Sequence, residues 1–470
     1  MLLLLLIVLV YASNPLLQEI ESPLDASASF GTSISIADGT MVVGSPDFSE
    51  SYSNGGIASI YSWDGSKWTF LHSVDAEDAA ANFVYFSLVS TVQGSTMALS
   101  AFDREADNGS VFIFVQAGST WTLSQVIPEE ASKFGGALAL CGTTLAVGAY
   151  DANQHGAVHI FTRADAANPF VHQVTLVDPA PATGAQFGTH VALYDNTAVV
   201  STTTGRVVTF TRAGSAWSAG QVLTSPFMET EPQFGAAIAL TESYLAVSAP
   251  GSGTVAVYTR YNGVWAIQGV LAPDTLPDSS EFGADIAMVQ SAGQAATLAV
   301  LDSSDGRAFV FVFDGRWVLQ GAARPKNSKA TAVSLSDTVL VMGMPECDSV
   351  AVYDLSSVTE VDTAAASTFM TIMHFVWMVF LIFVATAFIG GVVLLITFVA
   401  IGAGILCLGV FGINTAHPKL DDEGVFHLIE ETEDTVETFI DDDEDGLGPD
   451  DDLPSDETEP ATTDRCASMV

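Results

Sequence analysis

The chain is poor in positive charge. It has 14 Lys and Arg against 55 Asp and Glu, which gives a formal net charge of -41. Charged residues make up only 15% of the chain, where about 25% is usual. A surface this negative repels phosphate and releases no counterions from it, so nucleic acid is excluded as a partner.

Cysteine and catalytic motifs are scarce as well. Four Cys in 470 residues exclude a disulfide scaffold. No Gly-rich phosphate loop, Gly-x-Ser-x-Gly elbow or zinc motif occurs. We interpret His155, His159, His172 and His190 as surface residues or residues between repeat units, because their spacing fixes no metal site. The sequence therefore predicts a protein that is not an enzyme, with no catalytic residue, metal or cofactor.

What the chain does contain is a repeat of about fifty residues. Phe-Gly marks five copies, and degenerate copies occur at Phe86-Ser87 and Lys329-Ala330, so seven units are expected. The five intact copies begin at Phe30, Phe134, Phe187, Phe234 and Phe282.

Each unit has the pattern of four short strands. An alternating run and a second apolar run are joined by a two-residue turn, and a third strand and a fourth strand follow. The turns are Asp38-Gly39, Cys141-Gly142, Asp195-Asn196, Glu242-Ser243 and Ser336-Asp337. The fourth strands open at Trp68, Trp121, Phe170, Trp217, Trp265 and Trp317, whose rings we expect to wedge between neighbouring units. Four strands per unit predict an all-β, seven-bladed β-propeller.

The seventh unit stops after its third strand. Residues 16–20 can supply the missing fourth strand, because Gln18 and Pro23 have the same spacing as Gln221 and Pro226 in a complete unit. The sequence thus predicts a propeller spanning residues 13–355 and closed by an N-terminal strand, which removes two open sheet edges.

At this point the chain resembles the FG-GAP repeat family, which builds the N-terminal propeller of integrin α-chains. The motif pieces are Phe-Gly, the third strands ending in Thr-Arg, and the "GAP"-like ends Gly44-Ser45-Pro46, Ser248-Ala249-Pro250 and Gly343-Met344-Pro345. The resemblance is closer to the shorter FG-GAP variety of surface and secreted proteins, and it implies a β-propeller but no common activity. The calcium loops of integrin propellers do not carry over, because two-residue turns or a Ser- and Ala-rich segment occupy their positions.

Both ends of the chain are expected to lie outside the propeller. Residues 2–10 are aliphatic, which predicts a signal peptide over residues 1–12 with cleavage after Ala12, the alternative being an uncleaved anchor. Residues 356–368 form a linker. Residues 369–413 contain no formal charge and are predicted to be transmembrane. They are too long for one ordinary span, so one long span and a helical hairpin turning at Gly390-Gly391 both stay open.

Residues 414–470 have the composition of an acidic, mostly disordered tail. Asp441, Asp443, Asp445 and Gly446 match the start of an EF-hand loop, but Asp452 replaces its final Glu and no second helix can follow. We expect the protein at the cell membrane with the propeller extracellular or lumenal, whereas the side of the tail stays open. Asn108 begins a glycosylation sequon that we expect in a surface loop.

Charge is distributed unevenly between the two faces of such a propeller. The acidic face, formed by the loops joining strands 2 to 3 and 4 to 1, has far more acidic than basic residues. Its candidate ligand residues are Asp47, Asp103, Glu105, Asp107, Asp151, Glu129, Glu130, Asp274, Asp278 and Glu281. The turn face, formed by the turns joining strands 1 to 2 and 3 to 4, is close to balanced; Arg163, Arg206, Arg212 and Arg260 are assigned to it. Strand 3 of the last blade ends on the turn face, so the acidic face is expected to point away from the membrane.

These features predict a membrane-anchored propeller for adhesion or ligand recognition. The ligand would be a protein or glycan bound at the acidic face, either basic or bridged by divalent cations. The alternatives are a structural surface-coat protein without a specific ligand and a propeller hydrolase with carboxylates converging in a central pocket. The ligand, the oligomeric state and calcium binding by the tail are left open.

Overall fold

The computed structural model describes residues 16–24, 28–48, 55–75, 83–103, 108–226, 233–273, 280–291, 294–326 and 328–358, and the tail segments 419–420 and 426–427. The predicted signal peptide and residues 369–413 lie outside these ranges, as do the EF-hand-like residues. Within the described ranges, no helix has the length and apolar character needed to cross a membrane. The two tail segments pair as the short strands β30 (Lys419–Leu420) and β31 (Phe426–His427).

The described core consists of seven antiparallel sheets, one for each predicted unit. The innermost strands are β2 (Ser33–Ala37), β7 (Ser90–Gln93), β11 (Phe134–Cys141), β15 (Val191–Tyr194), β19 (Ile238–Leu240), β23 (Phe282–Val289) and β27 (Ala332–Leu335). Each innermost strand contacts the next, and β27 contacts β2, so the sheets form a closed ring of blades. This arrangement is the seven-bladed β-propeller that the repeat predicts.

The second and third strands of each blade are almost entirely apolar, because neighbouring blades cover both of their faces. The second strands are β3 (Thr40–Ser45), β8 (Thr96–Asp103), β12 (Thr144–Ala149), β16 (Thr197–Ser201), β20 (Tyr244–Ala249), β24 (Thr297–Asp302) and β28 (Val339–Met344). The third strands are β4 (Ile57–Trp63), β9 (Asn108–Ala117), β13 (Ala157–Thr162), β17 (Arg206–Ala213), β21 (Thr254–Tyr261), β25 (Arg307–Phe313) and β29 (Ser349–Asp354). In blade 2 the short strand β6 (Phe83–Val84) also pairs with β8.

The outer strands complete the blades, and the last one comes from the start of the chain. They are β5 (Trp68–Val74), β10 (Thr120–Ser132), β14 (Val171–Leu176), β18 (Ala216–Thr224), β22 (Val264–Leu271), β26 (Trp317–Ala323) and β1 (Leu16–Glu21). Strand β1 pairs antiparallel with β29, with Ile20 opposite Val350. The predicted closure is therefore confirmed. The packed region extends slightly past residue 355, since Val358 is buried and its carbonyl accepts a hydrogen bond from Gln320.

The Phe-Gly repeat fills the seams between blades. Phe187 is fully buried, and Gly188 has a φ of 97°, a conformation that disfavours any other residue. A Cβ on Gly148 of the adjoining blade would lie 2.2 Å from the carbonyl oxygen of Gly188, so both glycines allow the blades to approach. The degenerate copies keep this role, because Phe86 and Ala330 are fully buried as well.

A polar side chain of each outer strand ties one blade to the next. Gln18 Nε2 donates to the Trp68 carbonyl oxygen over 3.0 Å, while its Oε1 accepts from the Trp68 N–H over 2.8 Å. A hydrogen bond at the equivalent position recurs in every blade, and its partner is a backbone group or an indole N–H of the next blade. The pairs are Gln18–Trp68, His72–Trp121, Gln125–Phe170, Gln173–Trp217, Gln221–Trp265, Gln268–Trp317 and Gln320–Leu355. The predicted aromatic wedges are thus held in place by hydrogen bonds.

Candidate functional site: the acidic face and the central cavity

The residues predicted for the acidic face lie at one end of the blades. Asp47, Asp151 and Glu281 are exposed in loops that join strands 2 to 3 or 4 to 1. Asp47 Oδ2 accepts a hydrogen bond of 2.6 Å from the Ser29 hydroxyl, and Glu281 accepts one from Ser303. Asp103 ends β8, and Glu129 and Glu130 lie near the end of β10. Glu105, Asp107, Asp274 and Asp278 lie outside the described residues.

Some acidic residues on this face support the fold instead of facing solvent. Asp178 is buried, and its Oδ2 lies 2.7 Å from Nη1 of Arg206. The prediction that Arg206 lies on the turn face is wrong. Arg206 is the first residue of β17, and third strands begin at the acidic face. Asp348 is also structural, because its Oδ1 accepts the N–H groups of Ala28 and Phe30 over 3.0 Å each.

Asp302 is the most completely satisfied of these structural acids. It is fully buried at the end of β24 and accepts hydrogen bonds from Ser280, from Ser304 and from the N–H of Glu281. Burial raises the pKa of its carboxyl, but the hydrogen bonds outweigh this effect and hold the pKa below its usual value. Asp302 is thus a stable anion that organises the loop.

Glu346 adds an exposed carboxylate that is not among the residues predicted from the sequence. It lies in the 3₁₀ turn Pro345–Cys347, directly after the "GAP"-like end of blade 7. The matching turn in blade 5, Pro250–Ser252, carries no charged residue. The sequence feature that could have identified Glu346 is its place directly after Pro345 in a loop joining strands 2 and 3.

On the turn face, arginine side chains reach back to the preceding blade. Arg212 Nη1 donates to Thr144 Oγ1 over 3.0 Å, and its Nε donates to Asn196 Oδ1 over 2.9 Å. Arg163 and Arg260 make the equivalent bonds, of 2.6 and 2.8 Å, to Thr96 and Thr197. Each guanidinium also lies over the aromatic ring that opens the next strand, at 4.4 to 5.7 Å from its centroid. The Thr-Arg ending of the third strands is therefore an interblade contact.

A central cavity of about 360 Å³ lies where the innermost strands of all seven blades converge. Its lining residues occupy the beginnings of these strands and the residues just before them, for example Thr32, Ser33 and Ile34 at the start of β2. Because first strands begin at the acidic face, the cavity lies at the acidic-face end of the central channel.

Asp285 and His190 are the two titratable residues in the described lining of this cavity. Asp285 Oδ2 accepts the N–H of Val333 in the next blade over 2.8 Å, and Oδ1 accepts the N–H of Ile286 over 2.9 Å. Burial raises the pKa of Asp285 to about 6, against the effect of these two bonds. Burial lowers the pKa of His190, so its ring is neutral at pH 7. From the sequence, His190 is predicted to be a surface or interblade residue, and Asp285 is not predicted to belong to a site.

The other three histidines of the group predicted from the sequence, His155, His159 and His172, lie in blade 3 and its loops. His159 and His172 have ring centroids 5.6 Å apart and both contact the Thr175 hydroxyl, whereas His155 contacts the carbonyl oxygen of Ala182. In the ranges that the structure covers, no three His, Cys, Asp or Glu side chains come close enough to hold a metal ion. The cavity lining described above likewise contains a single carboxylate, so it does not show the converging carboxylates expected of a hydrolase.

Two local expectations need correction. Asn108 is the first residue of β9 and not part of a loop; Gly109 and Ser110 of its sequon are buried against blade 3. Glycosylation at Asn108 stays a prediction. Cys141 is the last residue of β11, so the turn that follows consists of Gly142 and Thr143. Cys141 is a free thiol and is not bonded to Cys347, as predicted.

Comparisons with known proteins give similarity in fold only. No protein-family model matches the chain, and no curated protein matches it. Among solved structures, Sqt1 from Saccharomyces cerevisiae is similar at 10% identity and TM-score 0.46, over 71% of this chain and 99% of Sqt1. A candidate 6-phosphogluconolactonase from Bacteroides fragilis is similar at 15% identity and TM-score 0.46, over 64% and 86%. BamB from Moraxella catarrhalis is similar at 14% identity and TM-score 0.43, over 72% and 99%. Likeness of this extent says nothing about function, and the propeller assignment rests on the strand pairing of this chain.

Proposed function

We propose that the propeller is a recognition domain that binds a protein or glycan ligand through its acidic face. The observation that carries the proposal is the different charge balance of the two faces. Both faces expose carboxylates, for example Asp47 on the acidic face and Glu242 on the turn face. The turn face also carries Arg163, Arg212 and Arg260, which are tied to the preceding blade, whereas the loops of the acidic face contain far more acidic than basic residues.

An exposed carboxylate surface attracts a basic partner, or an anionic partner through bridging divalent cations. Steering of this kind weakens as ionic strength rises, because salt screens exposed charges over about 8 to 10 Å. Binding at the acidic face should therefore depend strongly on salt. This salt dependence distinguishes binding at the acidic face from binding through an apolar patch, which salt does not weaken.

In this proposal, residues 369–413 hold the chain at the cell membrane and the propeller lies on the extracellular or lumenal side. Support for the orientation comes from β29, which runs from the acidic face to the turn face and ends at Asp354. The last strand of the propeller in chain order therefore ends on the turn face. The acidic face is consequently the one that points away from the membrane. An FG-GAP relationship and an adhesive role belong to this proposal and rest on the repeat motifs.

The test is a screen of the purified full-length chain against an array of glycans and basic peptides, with and without calcium. We expect at least one saturable ligand whose association rate falls at least tenfold between about 50 and 500 mM salt. If no array member binds saturably, the chain is better described as a surface-coat protein. Binding that is indifferent to salt would contradict recognition by the acidic face.

A further inference from the structure

The central cavity has the dimensions and lining of a small-molecule site. Its volume of about 360 Å³ lies in the usual range of roughly 300 to 1,000 Å³ for ligand pockets. Aliphatic residues from several blades contribute to the wall, among them Ile34, Leu138, Ile238 and Val333, but polar atoms make up the larger part of its exposed surface. Polar groups that converge among apolar residues fix the orientation of a bound ligand.

The hydroxyl groups in the wall offer lone pairs and no free hydrogens. Thr32 Oγ1 donates its hydrogen to the Ser29 carbonyl oxygen over 2.7 Å. Ser33 Oγ donates to the Ser87 carbonyl oxygen over 2.7 Å, and Ser90 Oγ donates to Ser33 Oγ over 3.2 Å. Since each hydroxyl carries a single hydrogen, these three hydroxyl groups can only accept further hydrogen bonds.

His190 adds another acceptor. Its buried Nδ1 has no hydrogen-bond partner among the described residues. In the tautomer that carries its hydrogen on Nε2, the neutral ring presents Nδ1 as a lone pair. A buried acceptor without a partner is uncommon in folded proteins and indicates a missing donor.

Asp285 supplies the charge. Its carboxylate receives two backbone N–H groups, whereas the buried carboxylate of Asp302 in the same blade also receives serine hydroxyls. No lysine or arginine is found in the described lining of the cavity. Each carboxylate oxygen has two lone pairs, so Asp285 keeps acceptor capacity toward the cavity.

We propose that the central cavity binds a small primary amine with an apolar body, the ammonium group being held by the Asp285 carboxylate. An ammonium carries one positive charge and three donors and no acceptor, which complements a carboxylate and hydroxyl groups that have already donated their hydrogens. The apolar body would lie against the aliphatic residues of the innermost strands. This site is separate from the outer surface of the acidic face and takes a different class of ligand.

The test uses two fluorinated probes of the same shape with the full-length chain. 4-Fluorophenethylamine carries the ammonium, and 2-(4-fluorophenyl)ethanol replaces it with a neutral hydroxyl. Binding of each is measured by ¹⁹F NMR titration at pH 7.4. We expect the amine to bind saturably and at least about tenfold more tightly than the alcohol, because hydrogen bonds to a charged group discriminate by at least this factor. Equal affinities, or no saturable binding of the amine, would overturn the proposal.

Variants locate the site. Asp285→Asn removes the charge at nearly constant volume and should weaken amine binding at least about tenfold, while the affinity for the alcohol changes little. Glu281→Gln removes an exposed carboxylate from the same blade and should leave amine binding unchanged. Ala137→Leu, in the cavity wall, should weaken both probes by filling space. Loss of amine binding in Glu281→Gln with retention in Ala137→Leu would place the amine on the outer surface and contradict the cavity site.

Discussion

On the turn face, arginine side chains are tied into the seams between blades, whereas on the acidic face several carboxylates project into solvent. Arg212 bonds Thr144 and Asn196 and covers the ring of Trp217. Asp47, by contrast, is exposed and accepts one bond from a serine hydroxyl. A charge that is tied into a seam stabilises the ring and has little freedom to meet a partner. A charge that projects into solvent contributes little to stability and is available for binding.

The acidic face itself contains both kinds of residue. The Asp178–Arg206 pair and the buried Asp302 hold loops in place. Composition alone cannot separate such residues from Asp47, Glu281 and Glu346. A negative face is thus partly a by-product of loop architecture, and only its exposed members are candidates for recognition.

The largest effect is expected from opening the ring of blades, because both faces depend on the pairing of β1 with β29. Deleting residues 16–21 removes β1, leaves the edge of β29 unpaired and releases the Gln18–Trp68 contact. We expect the melting temperature to fall by more than about 10 °C, with aggregation through the exposed edges. Differential scanning calorimetry measures the change.

A matched pair of substitutions controls for the deletion. Ile20→Lys places a charge in a buried position of β1, while Leu17→Lys places the same charge at a position that is 43% exposed. The first should destabilise strongly and the second only slightly. Similar melting temperatures for both variants would show that β1 does not pack as the seventh outer strand.

A second experiment compares arginines from the two faces. Arg212→Ala should lower the free energy of unfolding by about 2 kcal/mol, because hydrogen bonds from a charged group to Thr144 and Asn196 are lost. Arg324→Ala, at an exposed position on the acidic face, should change it by less than about 0.5 kcal/mol. Urea unfolding of both variants gives the difference. Equal effects would contradict the assignment of turn-face arginines to the seams.

A smaller effect is expected from the cavity carboxyl. The folded-state pKa of Asp285 is about 6, above its ordinary value of 3.8, so between these limits the folded state binds the proton more tightly than the unfolded state. Protonation of Asp285 therefore increases the free energy of unfolding as the pH falls from about 6 to 3.8. We expect an increase of about 1 to 2 kcal/mol, because water in the cavity screens the charge and reduces the effect. Urea unfolding from pH 4 to 7 gives the free energy of unfolding of the wild type and of Asp285→Asn, and the difference between the two isolates this contribution. A difference that is independent of pH would show that Asp285 titrates normally.

The repeat made most of the fold predictable from the sequence. Phe-Gly and the aromatic at the start of each fourth strand are local motifs with one structural role, so their spacing predicts the blades. Gln18 is informative for the same reason. It precedes Pro23 in the sequence by the same number of residues as Gln221 precedes Pro226, and both glutamines form a hydrogen bond to the next blade. Closure by β1 followed from counting strands.

The site was less predictable because it depends on contacts between distant residues. Asp285 lies in a strand with an alternating pattern, and this pattern does not show that Asp285 lines the cavity. Its partner Val333 is 48 residues further along the chain. Arg206 is predicted on the turn face because composition does not show at which end of a third strand a residue lies. In the structure it is the first residue of β17, at the acidic face. The partners of Asp178 and Asp348 are likewise set by how blades meet.

The most direct test of the account is charge reversal on one face at a time. Asp47→Lys with Glu346→Lys changes two exposed residues of the acidic face, and Glu242→Lys with Asp314→Lys changes two exposed residues of the turn face by the same net charge. Binding of the full-length variants to a saturable ligand from the glycan and basic-peptide array is measured at low and high salt. If the acidic face is the binding face, the first variant loses binding to a basic ligand by at least about tenfold at low salt while the second retains it. Equal losses in both variants, or binding that does not change in either, would contradict recognition through the acidic face.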